Sequence, residues 1–223
     1  MKLPILSMML VAVTTTGLRA QMTYGPEASL IFSNYTGESQ GSAVSTTAKV
    51  GVRAGLSING SISNALFIQT GLLYVANGYK ESGILATGTV NVNTLELPAL
   101  FTYKFGAPHT NGFFIGLGPY VAINLSGTEK TTGSYGGGGS STLLIGSDAS
   151  TDELKRFDFG FGLNAGYGLI TGITISAHYQ RGIVNLVPGG NSQNTEYNSN
   201  YGIALSYLFG SNSNNNNHSK PKK

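Results

Sequence analysis

Residues 157–169 alternate between large apolar side chains and small or polar ones. The apolar positions are Phe157, Phe159, Phe161, Leu163, Tyr167 and Leu169, with Ala165 as a small exception; Asp158, Asn164 and four glycines lie between them. A period of two is typical of a β-strand, whose successive side chains point to opposite faces of the sheet. A soluble sheet would carry lysine and glutamate on its second face, but this face is nearly bare. The pattern therefore predicts a strand with one face in lipid and the other lining a narrow interior.

The composition agrees with a membrane-embedded sheet. Only 10% of the 223 residues are charged, against roughly a quarter in an average soluble domain. Glycine accounts for 32 residues. No apolar run reaches the ~20 residues that a transmembrane helix needs. Lipid cannot satisfy the backbone groups of an open sheet edge, so a chain of this kind can cross a membrane only as a closed barrel.

The alternation recurs in eight segments separated by turn residues. These are residues 27–33, 46–58, 66–77, 90–105, 113–125, 157–169, 173–180 and 201–209. The connections alternate between short turns (59–64, 106–111 and 170–172) and long loops (34–45, 78–89, 127–155 and 184–198). An even strand number with short periplasmic turns and long extracellular loops is typical of outer-membrane barrels. We predict an all-β fold, an eight-stranded antiparallel up-and-down transmembrane β-barrel.

The two ends of the chain differ from this body. Residues 1–20 combine Lys2, an apolar stretch and a small residue at Ala20, which predicts a secretory signal peptide; an N-terminal membrane anchor is the alternative. The barrel then covers residues 21–209, and the Asn- and Lys-rich residues 210–223 have the composition of a disordered tail. The basic excess comes mostly from these two ends, so the sequence predicts no nucleic-acid partner. The absence of cysteine excludes disulfides and thiol chemistry.

Several segments resemble one known family. Residues 95–105, LELPALFTYKF, match its "ELPxLxxYxF" strand, and Gly118-Pro119 follows in the next strand. Asp158-Phe159-Gly160 and residues 179–186 resemble its later strands. The chain thus resembles the outer-membrane β-barrel domain of Bacteroidota, of the PorT-like or porin-family type. The resemblance implies a small barrel located in the outer membrane and indicates little about its role.

The alternation also predicts which charges face the lumen: Glu27, Lys49, Arg53, Glu96, Lys104 and Asp158. Strand direction places Glu27 and Lys104 near the periplasmic end and the other four in the outer half. An eight-stranded barrel is only wide enough to be filled by its own side chains, and a lone buried charge is very costly. We therefore predict a structural ion-pair network rather than a conduction path.

The sequence offers little for catalysis or cofactor binding. His178 shares a face with Ser176 and lies opposite Asn164, which permits a Ser–His–Asn set, although a structural lumen histidine is the simpler interpretation. Asp148, Asp152 and Glu153 could hold Ca²⁺ weakly or form a solvated acidic loop. No phosphate-binding loop, dinucleotide fingerprint or zinc spacing is present. We predict a protein that is not an enzyme and has no catalytic residue, no metal and no cofactor.

Function is then expected to lie in the loops. The residues of interest are 127–152, including the apolar Leu143, Leu144 and Ile145, and 188–198. The first hypothesis is a structural or surface-interaction protein; a narrow pore or transporter for small solutes is the alternative, and a soluble lipocalin-like carrier is a third. The expected partners are outer-membrane lipid, periplasmic chaperones, the barrel-assembly machinery and an extracellular ligand, with the protein itself a monomer.

Overall fold

The computed structural model describes residues 22–83, 86–106, 111–133, 137–169 and 171–210. The predicted signal peptide and residues 211–223 of the tail lie outside these ranges. The strands are β1 (Met22–Ser39), β2 (Ser42–Ser45), β3 (Thr47–Ser61), β4 (Leu66–Ser82), β5 (Ala86–Lys104), β6 (Gly112–Gly133), β7 (Gly138–Thr142), β8 (Ile145–Gly146), β9 (Leu154–Lys155), β10 (Phe157–Gly168), β11 (Ile173–Gly182) and β12 (Thr195–Tyr207). Within the described ranges, no helix has the length and apolarity needed to cross a bilayer.

Eight of these strands form a closed antiparallel ring. The hydrogen-bonded order runs β10, β11, β12, β1, β3, β4, β5 and β6, and pairing of β6 with β10 closes it. Each of these eight strands pairs with the next one of the eight along the chain. Pairing of β12 with β1 joins the last strand of the ring to the first. This up-and-down ring confirms the fold class predicted from the alternation.

The two faces of the ring have opposite chemistry. On the outer face Leu117 is 59% exposed and Val52 is 49% exposed. On the inner face Arg53 and Asn164 are each 6% exposed. Large apolar side chains therefore cover the outside of the cylinder, and small and polar ones fill its interior. A surface of this kind is stable in the acyl chains of a bilayer and not in water.

The strands extend further than the sequence predicted at the end that carries the long loops. Residues 34–39, 78–82, 86–89 and 127–133 were predicted as loop and belong to β1, β4, β5 and β6. The outward side chains at the level where these extensions begin are polar: Asn93 Nδ2 donates to Ser126 Oγ at 3.0 Å, and Asn91 Nδ2 donates to Thr128 Oγ1 at 3.4 Å. The apolar alternation stops there because these outward positions lie beyond the apolar band, although the ladder continues.

Two additional strands widen the sheet at the same end. β2 pairs with the last four residues of β1, from Thr36 to Ser39, and β7 pairs with β6 between Thr128 and Thr132. Residues 34–45 therefore form a hairpin, and β6 with β7 forms a second one. Both rise above the apolar band of the barrel. They provide the walls on which the remaining loop residues pack.

Candidate functional site

A guanidinium between two carboxylates lies at the centre of the lumen. Arg53 on β3 contacts Glu27 on β1 through Nη1, and its Nη2 lies 3.0 Å from Glu96 Oε1 on β5. Ser57 Oγ donates to Glu27, and Gln180 Nε2 on β11 donates to Glu96 Oε1 at 2.8 Å. Each charge is thus paired and hydrogen-bonded, which is the condition for burying it. The network joins β1, β3, β5 and β11 across the interior.

The contact between Arg53 and Glu27 differs from the expected separation along the barrel axis. Strand direction alone placed Glu27 near the periplasmic end and Arg53 in the outer half. In the sheet Glu27 pairs with Gly55, two residues from Arg53. Barrel strands tilt by roughly 35–45°, so counting residues along single strands misjudges the height of a side chain, and the long arginine side chain covers the remaining distance.

The other predicted lumen charges do not join this network through any ion pair found among the described residues. Asp158 on β10 accepts a hydrogen bond from Tyr120 Oη at 3.0 Å and one from Asn198 Nδ2 at 3.4 Å. Lys49 is half-buried on the inner face, near the end that carries the long loops, and Lys104 is half-buried near the opposite end. The six predicted residues therefore comprise one central ion-pair triad, one tyrosine-bound carboxylate and two lysines towards the ends.

An apolar cluster closes the lumen above this polar interior. We define the mouth cluster as the buried side chains of Tyr35, Val92, Leu154 and Leu186, with Tyr79, Val90, Leu143 and Ile145 packed against them. The tyrosine rings of Tyr35 and Tyr79 lie 5.0 Å apart, centroid to centroid. These residues come from β1, β4 and β5 and from two of the long loops. The mouth cluster therefore links the barrel wall to the loops that cover it.

Hydrogen bonds join the loops to one another. The backbone N–H of Lys155 donates to Leu186 O and its Nζ donates to Asn185 O, both at 2.8 Å. Gly41 N donates to Gln193 O at 2.9 Å, which attaches the first hairpin to the last loop. We call residues 34–45, 143–155 and 184–195 the cap. The cap is a connected layer over the mouth of the barrel rather than a set of independent loops.

The three apolar residues that the sequence singled out in the third loop have different positions. Leu143 and Ile145 pack against the mouth cluster. Leu144, between them, is 54% exposed, and its backbone N–H donates to Glu153 Oε2 at 3.0 Å. Leu143 and Ile145 are therefore placed to stabilise the cap. Leu144 is the one of the three that is available to a partner.

The acidic residues of the same loop bind the backbone. Asp148 Oδ1 accepts hydrogen bonds from the N–H and the hydroxyl of Ser150, at 2.9 and 2.7 Å. Asp152 Oδ2 accepts from the N–H of Asp148 at 2.7 Å. The bonds from Ser150 hold the pKa of the Asp148 carboxyl below its ordinary value. Among the described residues no group of three or more histidine, cysteine or acidic side chains could hold a metal ion.

A buried carboxyl lies beside the mouth cluster. Glu196, at the outer end of β12, is hydrogen-bonded to Tyr79, and Glu81 is near it. Burial, together with the negative charge of Glu81, raises the pKa of Glu196 to about 7. Burial and the neighbouring carboxylates also raise the pKa of the Tyr79 hydroxyl above its ordinary value. The sequence reasoning missed both residues because they lie beyond the apolar outward positions at the outer ends of their strands.

His178 has no hydrogen-bond partner within the described part of the chain, at either ring nitrogen. Ser176 and His178 lie on the inner face of β11, and Asn164 is the cross-strand neighbour of His178 on β10. Asn164 Nδ2 donates instead to Gln69 Oε1 at 3.1 Å. The contacts of a Ser–His–Asn catalytic set are therefore not formed among these residues.

Comparison with protein-family models agrees with this architecture. Residues 17–188 match a family model described as an outer membrane protein beta-barrel domain. A comparison with curated proteins returned no match. Among solved structures, Ail of Yersinia pestis in complex with the heparin analogue sucrose octasulfate is 13% identical, covering 85% of this chain and 99% of that chain, with a TM-score of 0.41. Neisserial surface protein A is 10% identical (84% and 96% covered, TM-score 0.45), and OprG from Pseudomonas aeruginosa is 11% identical (84% and 94%, TM-score 0.45).

Proposed function

This chain belongs to the outer membrane protein beta-barrel domain family, and we propose that it acts at the cell surface through its cap rather than by conducting solutes through its lumen. The main support for this proposal is that the interior of the barrel is obstructed while the cap exposes side chains to solvent. The interior is obstructed at two levels, by the Arg53 triad and by the mouth cluster. The cap is held together by bonds between three separate loops and presents exposed side chains such as Leu144 and Gln193.

The orientation follows from the asymmetry of the connections. Short turns of outer-membrane barrels face the periplasm and long loops face outwards, so the cap is extracellular. Bilayer lipid surrounds the apolar band, and the proposed state is a monomer, which the closure of the ring within one chain permits. We further propose that residues 1–20 are a signal peptide, and that periplasmic chaperones and the barrel-assembly machinery deliver the chain to the outer membrane. The segment at residues 95–105 supports assignment to the PorT-like branch of Bacteroidota.

The experiment for a cap-mediated role is capture of partners on intact cells. The full-length protein is compared with a variant in which residues 144–152 are replaced by a glycine–serine linker, and with a control in which the exposed residues 137–140 of the β6–β7 hairpin are replaced in the same way. A specific partner that is cross-linked to wild type and to the hairpin control, but not to the cap variant, supports the proposal. Equal capture by all three proteins contradicts it.

A narrow pore is the second candidate, and the polar character of the lumen favours it. Several buried polar atoms on the inner face, among them both amide atoms of Asn200, have no hydrogen-bond partner within the described ranges, which suits transient hydration. Planar-bilayer recordings separate the two functions. A barrel that acts through its cap gives no steady unitary current, whereas ion-selective openings at physiological voltage would establish the pore. We propose no catalytic activity for either case.

A further inference from the structure

Arg181 places a positive charge on the lipid-facing surface of the barrel. Its neighbours Gln180 and Gly182 are buried on the inner face of β11, so alternation directs the Arg181 side chain outwards. The outward residues before and after it, Tyr179 and Ile183, are large, mostly apolar and exposed. A charge that faces hydrocarbon is costly. Arg181 is therefore stable in this row only if its guanidinium reaches the polar boundary of the bilayer.

The height of Arg181 on the barrel brings its side chain to that boundary. From Ile173, the first residue of β11, to Arg181 the strand rises by about 20 Å along the barrel axis, at ~3.3 Å per residue and a tilt of roughly 40°. The apolar band of an outer-membrane barrel is about 25 Å tall, and a long arginine side chain extends its charge beyond the apolar surface that its stem covers. The guanidinium thus lies at the level of lipid headgroups, at the end of the barrel that carries the long loops.

An aromatic ring supports the guanidinium and leaves its hydrogen-bond donors available. The Cζ atom of Arg181 lies over the ring of Tyr197 on β12, 5.7 Å from its centroid. The attraction between a cation and a ring acts through the face of the guanidinium, whereas its five N–H donors lie in its plane. Both ion pairs found in the described part of the chain belong to Arg53, so no carboxylate there neutralises Arg181. Its N–H groups can therefore bind an anion from outside the chain.

The polar side chains beside Arg181 add further donors. Ser199 is its cross-strand partner on β12, and Asn34 on β1 pairs with Ser199. All three residues lie between buried inward neighbours and so share one outward row of the sheet. Asn34 Oδ1 accepts a hydrogen bond from the N–H of Tyr35 at 2.9 Å, which fixes the orientation of the amide and leaves Nδ2 as a donor. The row thus presents guanidinium, hydroxyl and amide donors and contains no acidic side chain.

From these observations we propose that Arg181 binds a phosphate group of an outer-leaflet lipid headgroup, with Ser199 and Asn34 as additional donors. A guanidinium matches phosphate oxygens through paired N–H···O bonds. Water would satisfy the N–H groups but would leave the positive charge without a counter-charge. A lipid phosphate stays at this height because its acyl chains lie against the apolar band below, whereas a free phosphate has no such anchor. The inference rests on the proposed orientation, with this end of the barrel outwards, and not on a partner of the cap.

Native mass spectrometry of the full-length protein in detergent tests the site, with lipid A as the probe. Diphosphoryl lipid A and the same lipid after dephosphorylation differ only in their phosphates. We expect wild type to bind the diphosphoryl form about tenfold more tightly, as expected for one charge-assisted hydrogen bond. Equal binding of the two lipids by wild type overturns the proposal. Inorganic phosphate should not displace the lipid at equal concentration; displacement would show a site for free anions and overturn the lipid assignment.

Two matched variants assign the effect to one arginine. Arg181→Gln removes the charge from the lipid-facing row, and Arg156→Gln makes the same change beside the cap, at an arginine whose Nη2 donates to Ile145 O at 2.7 Å. Arg156→Gln should keep the wild-type preference, whereas Arg181→Gln should bind the two lipids within about twofold of each other. Equal loss of the preference in both variants, or no loss in Arg181→Gln, overturns the assignment.

The same assay separates this inference from the proposed function. Heat-modifiable migration on gels shows whether each variant is folded, and the wild-type comparison of the two lipids is decisive even if Arg181→Gln is not. Binding in detergent depends neither on the orientation of the barrel nor on a partner of the cap. Failure of lipid binding therefore leaves the proposed role of the cap unaffected, and failure to capture a cap partner leaves the lipid site unaffected.

Discussion

The guanidinium of Arg53 and the carboxylate of Glu96 meet across the lumen of the barrel, with Nη2 and Oε1 3.0 Å apart, although β4 lies between their strands in the sheet. The contact crosses the interior because an eight-stranded barrel is narrow enough for side chains from non-adjacent strands to touch. Arg53 thereby connects β1, β3 and β5, of which β5 is not a neighbour of the other two in the sheet. Its removal leaves Glu27 and Glu96 buried without their partner.

We expect Arg53→Leu to destabilise the barrel strongly. Breaking a buried ion pair by removing one partner costs about 3–5 kcal/mol, because the remaining carboxylates keep their desolvation penalty. Urea unfolding from lipid vesicles measures the effect. Lys49→Leu is the matched control, since this half-buried lysine makes no ion pair among the described residues, and its change should stay below about 1 kcal/mol. Equal unfolding midpoints for wild type and Arg53→Leu would show that the triad is not stabilising.

The mouth cluster gives a prediction about the cap alone. Leu186 is 1% exposed, and truncating a buried leucine to alanine costs about 2–5 kcal/mol. Leu186→Ala should therefore make residues 143–155 and 184–195 sensitive to proteases while the barrel keeps its heat-modifiable migration on gels. Leu144→Ala, at an exposed position of the same cap, should leave cleavage at the wild-type rate. Equal protection of all three proteins would mean that the mouth cluster does not hold the cap.

The stability of the cap should depend on pH through Glu196. Its folded pKa of about 7 lies above the ordinary value of 4.5, so the folded cap binds more protons than the open one between these two values. The contribution of Glu196 to stability is then fully present below pH 4.5 and is lost as the pH rises through 7. Amide-exchange protection factors for residues 184–195 measure this fall. Glu196→Gln should abolish this pH dependence, whereas Glu38→Gln, at an exposed position, should keep it. If the protection factors of Glu196→Gln still fall with pH as in wild type, another group causes the dependence.

The cost of introducing a charged residue on the outer face should depend on its depth in the bilayer. Leu117 lies near the middle of the apolar stretch of β6, and Phe113 lies near its periplasmic end. An arginine on the lipid face costs about 2–4 kcal/mol at the bilayer midplane and about 0–1 kcal/mol near the interface. Leu117→Arg should therefore lower the free energy of unfolding from vesicles more than Phe113→Arg. The reverse order would mean that the band is positioned differently on the barrel.

The fold could be predicted from the sequence because every strand that crosses the bilayer must present apolar side chains to lipid. Lipid demands apolar outward residues, and the alternation reports this directly from Phe157 to Leu169. The strand ends could not be predicted in the same way. Beyond the apolar band, outward residues such as Thr128 and Lys130 do not need to be apolar, so the pattern disappears while the hydrogen-bonded ladder continues.

The candidate site was only partly predictable for two physical reasons. Alternation identified the inward charges, but strand tilt and side-chain length decide that Arg53 meets Glu27 while Asp158 meets Tyr120. The mouth cluster was missed because Leu154 and Leu186 lie in loops that have no period. The available signal was a few large apolar residues in otherwise polar loops, which packing can explain as well as partner binding.

Single-tryptophan fluorescence in brominated lipid tests most directly which face of the wall contacts the bilayer. The chain contains no tryptophan, so Leu117→Trp on the outer face and Tyr120→Trp on the inner face each report one position of β6 without background. We expect strong quenching and blue-shifted emission for Leu117→Trp and no quenching for Tyr120→Trp. Quenching of Tyr120→Trp with an unquenched Leu117→Trp would contradict the barrel described above.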